Sequence, residues 1–199
     1  MVEQARLEEL ESGLAPASDG WFVVNVRDAA WLTNEAFGAE CVFEASRPVL
    51  RRRPEQPVRH FPQIGFALTV LQPGQPSGMY HGESQQEDFL VLAGECVLVV
   101  EGEERRLRAW DFVHCPPGTE HVFVGAGDGP CVIFMTGART GERQIVYPRS
   151  EPALRHGAGV ESETTSASEA YERFPHWQPE RPNPEVWTLL PWAAPDCET

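Results

Sequence analysis

Four side chains in two short stretches are of types that hold metal ions or move protons. The first stretch, PSGMYHGESQQEDFLVLAG (76–94), carries His81, Glu83 and Glu87, and the second, WDFVHCPPGTEHVFVG (110–125), carries His121. Imidazole nitrogens and carboxylate oxygens together suit divalent transition metals, and a positioned carboxylate also serves as general acid or base. One residue separates His81 from Glu83, so a strand directs both to one face, and Glu87 lies four residues further along a strand or its bend. The turn Pro116-Pro117-Gly118 leads into a new strand at His121, which an antiparallel neighbour brings beside the first three. The competing account is a strand histidine satisfied by hydrogen bonds and a pair of glutamates facing solvent.

The elements that must place these residues are strands. From Ile64 to about Tyr147 the chain reads IGFALTVL, DFLVL, ECVLVVEG, RRLRAWDFVHC, EHVFVGAG and CVIFMTG, each run bounded by Gly, Pro or Asp. ECVLVVEGEERRLRA predicts a hairpin turning at Glu101–Glu104, with Gly102 supplying backbone freedom. Connections this short leave no room for crossover helices, which excludes a parallel α/β sheet and leaves an all-β sandwich or barrel. Alternation along the strands makes Phe66, Leu68 and Val70 one face, puts Phe123 on the face of His121, and sets Tyr80 beside His81.

Flanking segments differ in pattern. Residues 2–12, with Leu7, Leu10 and Leu14 at helical spacing and Gly13 as a stop, predict a short amphipathic helix. WFVVNV (21–26) and CVFE (41–44) read as strands, separated by Asp28–Phe37, which suits a helical turn ended by Gly38. Arg51–Arg53 stand in a loop with Pro48, Pro54 and Pro57. GAGVESETTSASEA (157–170) has the low hydrophobicity of a linker or mobile loop. After it, Phe174, Trp177 and Trp187 alternate with prolines between Tyr171 and Trp192, which predicts an extended arm laid across the barrel or a neighbouring subunit. The expected organisation is a lead-in over residues 1–61, a barrel core over 62–147, and a linker with C-terminal arm over 148–199.

Sixteen basic and thirty acidic residues give a net charge of −14, which repels phosphate backbones and anionic bilayers, so neither nucleic acid nor membrane is expected as a partner. MVEQARLEELESGL lacks the basic and apolar regions of a secretory signal, and no apolar run approaches membrane-spanning length; a cytoplasmic location is expected. Cys41, Cys96, Cys115, Cys131 and Cys197 are odd in number and contain no C-x-x-C pair, which fits buried reduced thiols; Cys115 sits near enough to the site for a reactive role to be considered. His60, His114, His156 and His176 have no motif support and read as surface or structural residues.

The two chemistry-bearing stretches resemble the motifs of the cupin superfamily, in particular the single-domain, cupin 2-like conserved barrels. The first cupin motif runs G-x5-H-x-H-x3-4-E-x6-G, and His81, Glu87 and Gly94 match it; the second runs G-x5-P-x-G-x2-H-x3-N, and Pro116, Gly118 and His121 match it. The resemblance spans roughly residues 62–137, and three departures from it matter: Glu83 in place of the second histidine, Trp110 in place of the opening glycine of the second motif, and Gly125 where asparagine is expected. It implies a jelly-roll β-barrel holding one divalent ion (Fe2+, Mn2+, Ni2+ or Zn2+) through His81, Glu87 and His121, with Glu83 as a fourth ligand or as a catalytic general base. Four ligands would neutralise a dication, whereas two histidines and one carboxylate form the ligand set of non-haem iron oxygenases. A dioxygenase acting on a small organic molecule is the first reading. An isomerase or epimerase of a sugar-like or keto-acid substrate and a non-catalytic ligand-binding barrel are the alternatives. Cupins often pair by sheet extension, which implies a homodimer.

Overall fold

The computed structural model describes residues 1–44 and 61–184. Before the barrel come β1 (Leu7–Leu10), β2 (Gly13–Pro16), β3 (Leu32–Asn34) and β4 (Gly38–Phe43). The barrel strands follow: β5 (Ile64–Leu71), β6 (His81–Glu83), β7 (Glu87–Ala93), β8 (Glu95–Val100), β9 (Glu103–Arg108), β10 (Phe112–Cys115), β11 (Glu120–Ala126) and β12 (Cys131–Ala138). A short β13 (Ile145–Val146), two one-turn helices, α1 (Glu151–Arg155) and α2 (Ala167–Ala170), and β14 (Gln178–Pro179) complete the described chain. Among the described residues no helix is long and apolar enough to cross a membrane.

Two antiparallel sheets face each other, one of seven strands in the order β10-β7-β12-β5-β4-β3-β14 and one of five in the order β13-β6-β11-β8-β9. This is a jelly-roll barrel. Alternation along β7, β8, β11 and β12 sends Phe89, Val91, Leu98, Phe123 and Ile133 into the space between the sheets. Each such side chain contributes about 1.5–3 kcal/mol by leaving water. Cys96, Cys115 and Cys131 fill the same core and Cys41 a second one, so these thiols are packing residues. Cys115 is buried, and burial pushes its thiol up to about 12, which disfavours the thiolate that a reactive role requires.

The β8–β9 hairpin turns at Glu101 and Gly102, both at positive φ (49° and 77°), the signature of a two-residue turn whose twist matches its strands. The run RRLRAWDFVHC, by contrast, is two strands. It breaks at Ala109–Asp111, where the chain leaves β9 at the edge of one sheet and enters β10 at the edge of the other. Trp110 makes this corner at φ 76°, with its N–H donating to the Val91 carbonyl at 2.7 Å and Asp111 Oδ2 accepting from the Arg108 N–H at 2.9 Å.

Three expectations for the lead-in are corrected. Residues 2–12 form no helix; β1 pairs with β2 in a hairpin, and β2 is fastened to the next segment by Leu14 N–H to Asp28 O (2.7 Å) and Ala30 N–H to Leu14 O (2.9 Å). Those long-range bonds outweigh a helix propensity of a few tenths of a kcal/mol per residue. WFVVNV is not a strand: Trp21 alone makes a bridge, to Gln4, and the chain turns at 26–28 while Val24 and Val26 pack on the core. Asp28–Phe37 holds β3 and a three-residue turn, closed by Gly38 at φ 79°, where a Cβ would stand 2.3 Å from the Val70 carbonyl oxygen.

The C-terminal segment crosses the chain's own barrel. The Ser/Thr-rich stretch expected as a linker is built in: Thr164 and Tyr147 exchange backbone hydrogen bonds at 2.8 and 3.1 Å, and Ser150 and Ser166 cap α1 and α2. Beyond it, Tyr171 is bonded through its hydroxyl to the Met79 N–H at 3.0 Å, the Pro175 carbonyl accepts from Asn34 Nδ2 at 2.8 Å, and β14 pairs with the edge strand β3. Pro48, Arg51–Arg53, Pro54, Pro57, His60, Trp187, Trp192 and Cys197 lie outside the described residues.

Candidate metal centre

His81 on β6 and His121 on β11 face each other in register in the five-stranded sheet, with ring centroids 5.1 Å apart. Glu87 opens β7 in the opposite sheet. The site therefore spans the two sheets: His81, Glu87 and His121 each offer one ligand atom, and these atoms lie within 4.8 Å of one another. His121 Nε2 stands 3.6 Å from Glu87 Oε2. The turn predicted at Pro116–Gly118 sets this strand's approach, with Gly118 at φ 87° and its N–H donating to the Glu83 carbonyl at 2.6 Å.

Both imidazoles are oriented in the same way. His81 Nδ1 lies 2.8 Å from the Met79 carbonyl and His121 Nδ1 lies 3.0 Å from the Thr119 carbonyl. A carbonyl accepts only, so each Nδ1 carries the proton and each Nε2 presents its lone pair. Burial, with the neighbouring His121, pulls His81 down to about 3, and burial also lowers His121. Burial, then the charge of Glu83, pushes Glu87 up to about 7. Two neutral imidazoles with aimed lone pairs and a carboxylate lacking a full counter-charge are a donor set that a divalent cation satisfies. The residues fit such an ion.

Glu83 is not grouped with these three ligand atoms. Its side chain is fully buried, Oε2 accepts from Arg143 Nε at 2.6 Å and is also met by Arg143 Nη2, and Oε1 lies 3.6 Å from Arg139 Nη1. The carboxylate that sequence alternation aims at the metal is instead bound to two arginines.

Those arginines border a cavity of about 490 Å³ that opens over the three ligands. Aromatic side chains line it as well, among them Phe37, Tyr147, Tyr171, Phe174 and Trp177, together with His176. Phe66 and Phe123 line it as alternation suggests, whereas Tyr80 is buried elsewhere, bonded to Glu120 and to the Gly102 N–H. Sequence reasoning missed Arg139, Arg143 and His176 because none belongs to a motif. The one available signal was that Arg139 and Arg143 are two cations in the loop directly after a barrel strand. His114 and His156 make surface pairs with Asp88 and Glu104.

A two-sheet antiparallel jelly roll with a two-histidine, one-carboxylate cluster spanning its sheets defines a barrel with a candidate metal centre. Residues 67–137 match the cupin domain family model. Among solved structures, it is similar to a cupin-superfamily sugar phosphate isomerase from Silicibacter pomeroyi (31% identity over 42% of this chain and 55% of that one, TM-score 0.40). It is also similar to a putative sugar phosphate isomerase from Acidithiobacillus ferrooxidans (26% identity, 42% and 55%, TM-score 0.40). A cupin 2 conserved barrel domain protein from Salinispora arenicola shares 30% identity over 37% of this chain and 61% of that one, with a TM-score of 0.35. The matched region thus spans little more than half of these relatives. A search of curated proteins finds no match.

Proposed function

We propose that this protein is a metal-dependent enzyme that binds one divalent cation through His81, Glu87 and His121 and converts a small organic molecule in the cavity beside them, with oxygen as co-substrate. The observation that carries this reading is the convergence of three ligand atoms within 4.8 Å, two of them on histidines whose other nitrogens are anchored to carbonyls. His81, Glu87 and His121 would hold ferrous iron, which would supply the redox chemistry by which oxygen oxidises the substrate, the substrate being the net electron donor.

The chain's own residues do the rest. Met79 O and Thr119 O fix the tautomer and angle of the two rings, so no reorganisation is needed when the ion arrives. Phe89, with its ring centroid 5.0 Å from that of His121, packs against one ligand and excludes water from that side. Glu83 holds Arg139 and Arg143 at the cavity wall, where their guanidinium groups can meet an acidic group on the substrate. In this reading Glu83 positions cations and is not the proton carrier.

The test is metal analysis of tag-free protein reconstituted anaerobically, beside His121→Ala, followed by oxygen-electrode measurements. About one iron per chain, lost in the variant, with iron-dependent oxygen uptake on a panel of small organic acids, supports the proposal. Tight binding of zinc or nickel without oxygen uptake moves the reading to Lewis-acid isomerisation. Failure to bind any metal leaves a ligand-binding barrel.

A further inference from the structure

The cavity is lined by two chemically different groups: the candidate metal ligands with Arg139 and Arg143, and rings that include several from the C-terminal strap. A file of ring contacts joins them: His81 to Tyr147 at 6.0 Å between centroids, Tyr147 to Tyr171 at 6.0 Å, and Tyr171 to Phe37 at 5.4 Å. Phe37 in turn meets Phe174 at 4.7 Å and Trp177 at 6.3 Å. The wall is held in place by polar bonds at the strap's margins, namely Tyr171 hydroxyl to Met79 N–H, Asn34 to the Pro175 carbonyl, and Thr33 Oγ1 to Glu180 Oε2 at 2.9 Å.

We infer that the ligand of this cavity is a small aromatic compound bearing a chelating oxygen group, and that Phe174 and Trp177 are the residues that select its ring. The inference rests on the proposed metal site and adds the ligand class and its selectivity device. Volume is consistent: about 490 Å³ is available, a benzene ring needs roughly 150 Å³, and the remainder accommodates a chelating head and ring substituents. Chemistry is consistent as well. Aromatic faces reward offset or edge-on contact with another ring beyond what area alone gives, while a purely polar ligand would leave the strap's rings facing its hydroxyls without partners. An all-aliphatic wall would have accepted any apolar tail; a ring-lined one favours rings.

Benzohydroxamate and acetohydroxamate share one chelating head and differ only in phenyl against methyl. Titrated calorimetrically into the full chain loaded with nickel(II), benzohydroxamate is expected to bind at least tenfold tighter. In Phe174→Ala and in Trp177→Leu that ratio should fall to threefold or less, and in Trp110→Ala, an exposed position remote in sequence from the strap, it should be retained. Nickel uptake with equal affinity for the two hydroxamates overturns the inference while leaving the metal site standing, as does a ratio unchanged in both strap variants. A chain that takes up no nickel overturns the metal site and this inference together.

Discussion

Arg143, on a loop and with its side chain 46% exposed, donates from Nε at 2.6 Å to a carboxylate, Glu83, whose side chain is wholly buried. The pair joins the surface to the interior beside the metal ligands. Deleting the guanidinium leaves Glu83 with Arg139 Nη1 at 3.6 Å, while Oε1 already accepts no hydrogen bond among the described residues. Breaking a fully buried pair costs about 3–5 kcal/mol, and access of water to the arginine side reduces this to about 2 kcal/mol for Arg143→Ala. Urea unfolding should show that loss, and Arg143→Ala combined with Glu83→Gln should regain more than half of it. A single variant as stable as the parent would mean that the pair contributes nothing.

Metal should stabilise the folded chain. At a hundredfold excess over its dissociation constant a ligand adds about 2.7 kcal/mol, which for a chain of 199 residues raises Tm by about 5–10 °C. Calorimetric scans with and without nickel or manganese should show this rise in the parent and none in His121→Ala. Glu87→Gln keeps the side chain's shape but removes its charge, and should weaken metal binding by tenfold or more.

Alkaline pH should weaken the fold through its buried thiols. Burial pushes Cys41 from the ordinary 9.0 up to about 12. Between those values the unfolded chain has lost the proton and the folded chain has kept it, so stability falls as pH rises, by at most about 1.4 kcal/mol per pH unit for each such thiol. Stability measured from pH 8 to 11 should decline, less steeply in Cys41→Ala. At pH 8 the native protein should leave Cys41 and Cys115 unlabelled by a thiol reagent that modifies both in urea.

Two departures from the cupin motifs have opposite structural standing. A Cβ at Gly125 would lie 2.2 Å from the Gln72 carbonyl oxygen, because β11 is laced to that turn by Gly74 N–H to Gly125 O and Gly125 N–H to Gln75 O. Gly125→Asn, which introduces the asparagine of the cupin motif, should therefore destabilise by about 3 kcal/mol. Trp110 occupies φ 76°, where glycine is at ease, and is 76% exposed, so Trp110→Gly should stabilise by about 1 kcal/mol. Denaturation midpoints that move in the same direction for both would contradict this account.

The strand ladder and the convergence of His81, Glu87 and His121 were legible because they depend on period-2 alternation and on turns whose residues announce them. Gly102 and Pro116–Gly118 bend where they should, and His81 and His121 meet across adjacent strands. Long-range pairing was not legible. Leu7, Leu10 and Leu14 suit a helix face as well as a hairpin, and only the bonds from β2 to Asp28 and Ala30 decide between them. Glu83 shows the same limit at the site: alternation gives its face correctly, but the arginines that claim it arrive from a loop 56 and 60 residues later in sequence.

The strap's origin bears on how such a protein is remade over generations. The candidate ligands sit on β6, β7 and β11, whose register is fixed by the barrel, whereas Tyr147, Tyr171, Phe174 and Trp177 of the aromatic lining belong to a segment that begins after β13 and pairs with the edge strand β3. Heredity can therefore rewrite one without disturbing the other. On the proposed reading, substitutions between Tyr171 and Trp177 would redraw which molecules are admitted and leave the candidate metal centre intact, as an exchangeable cartridge on a fixed housing would.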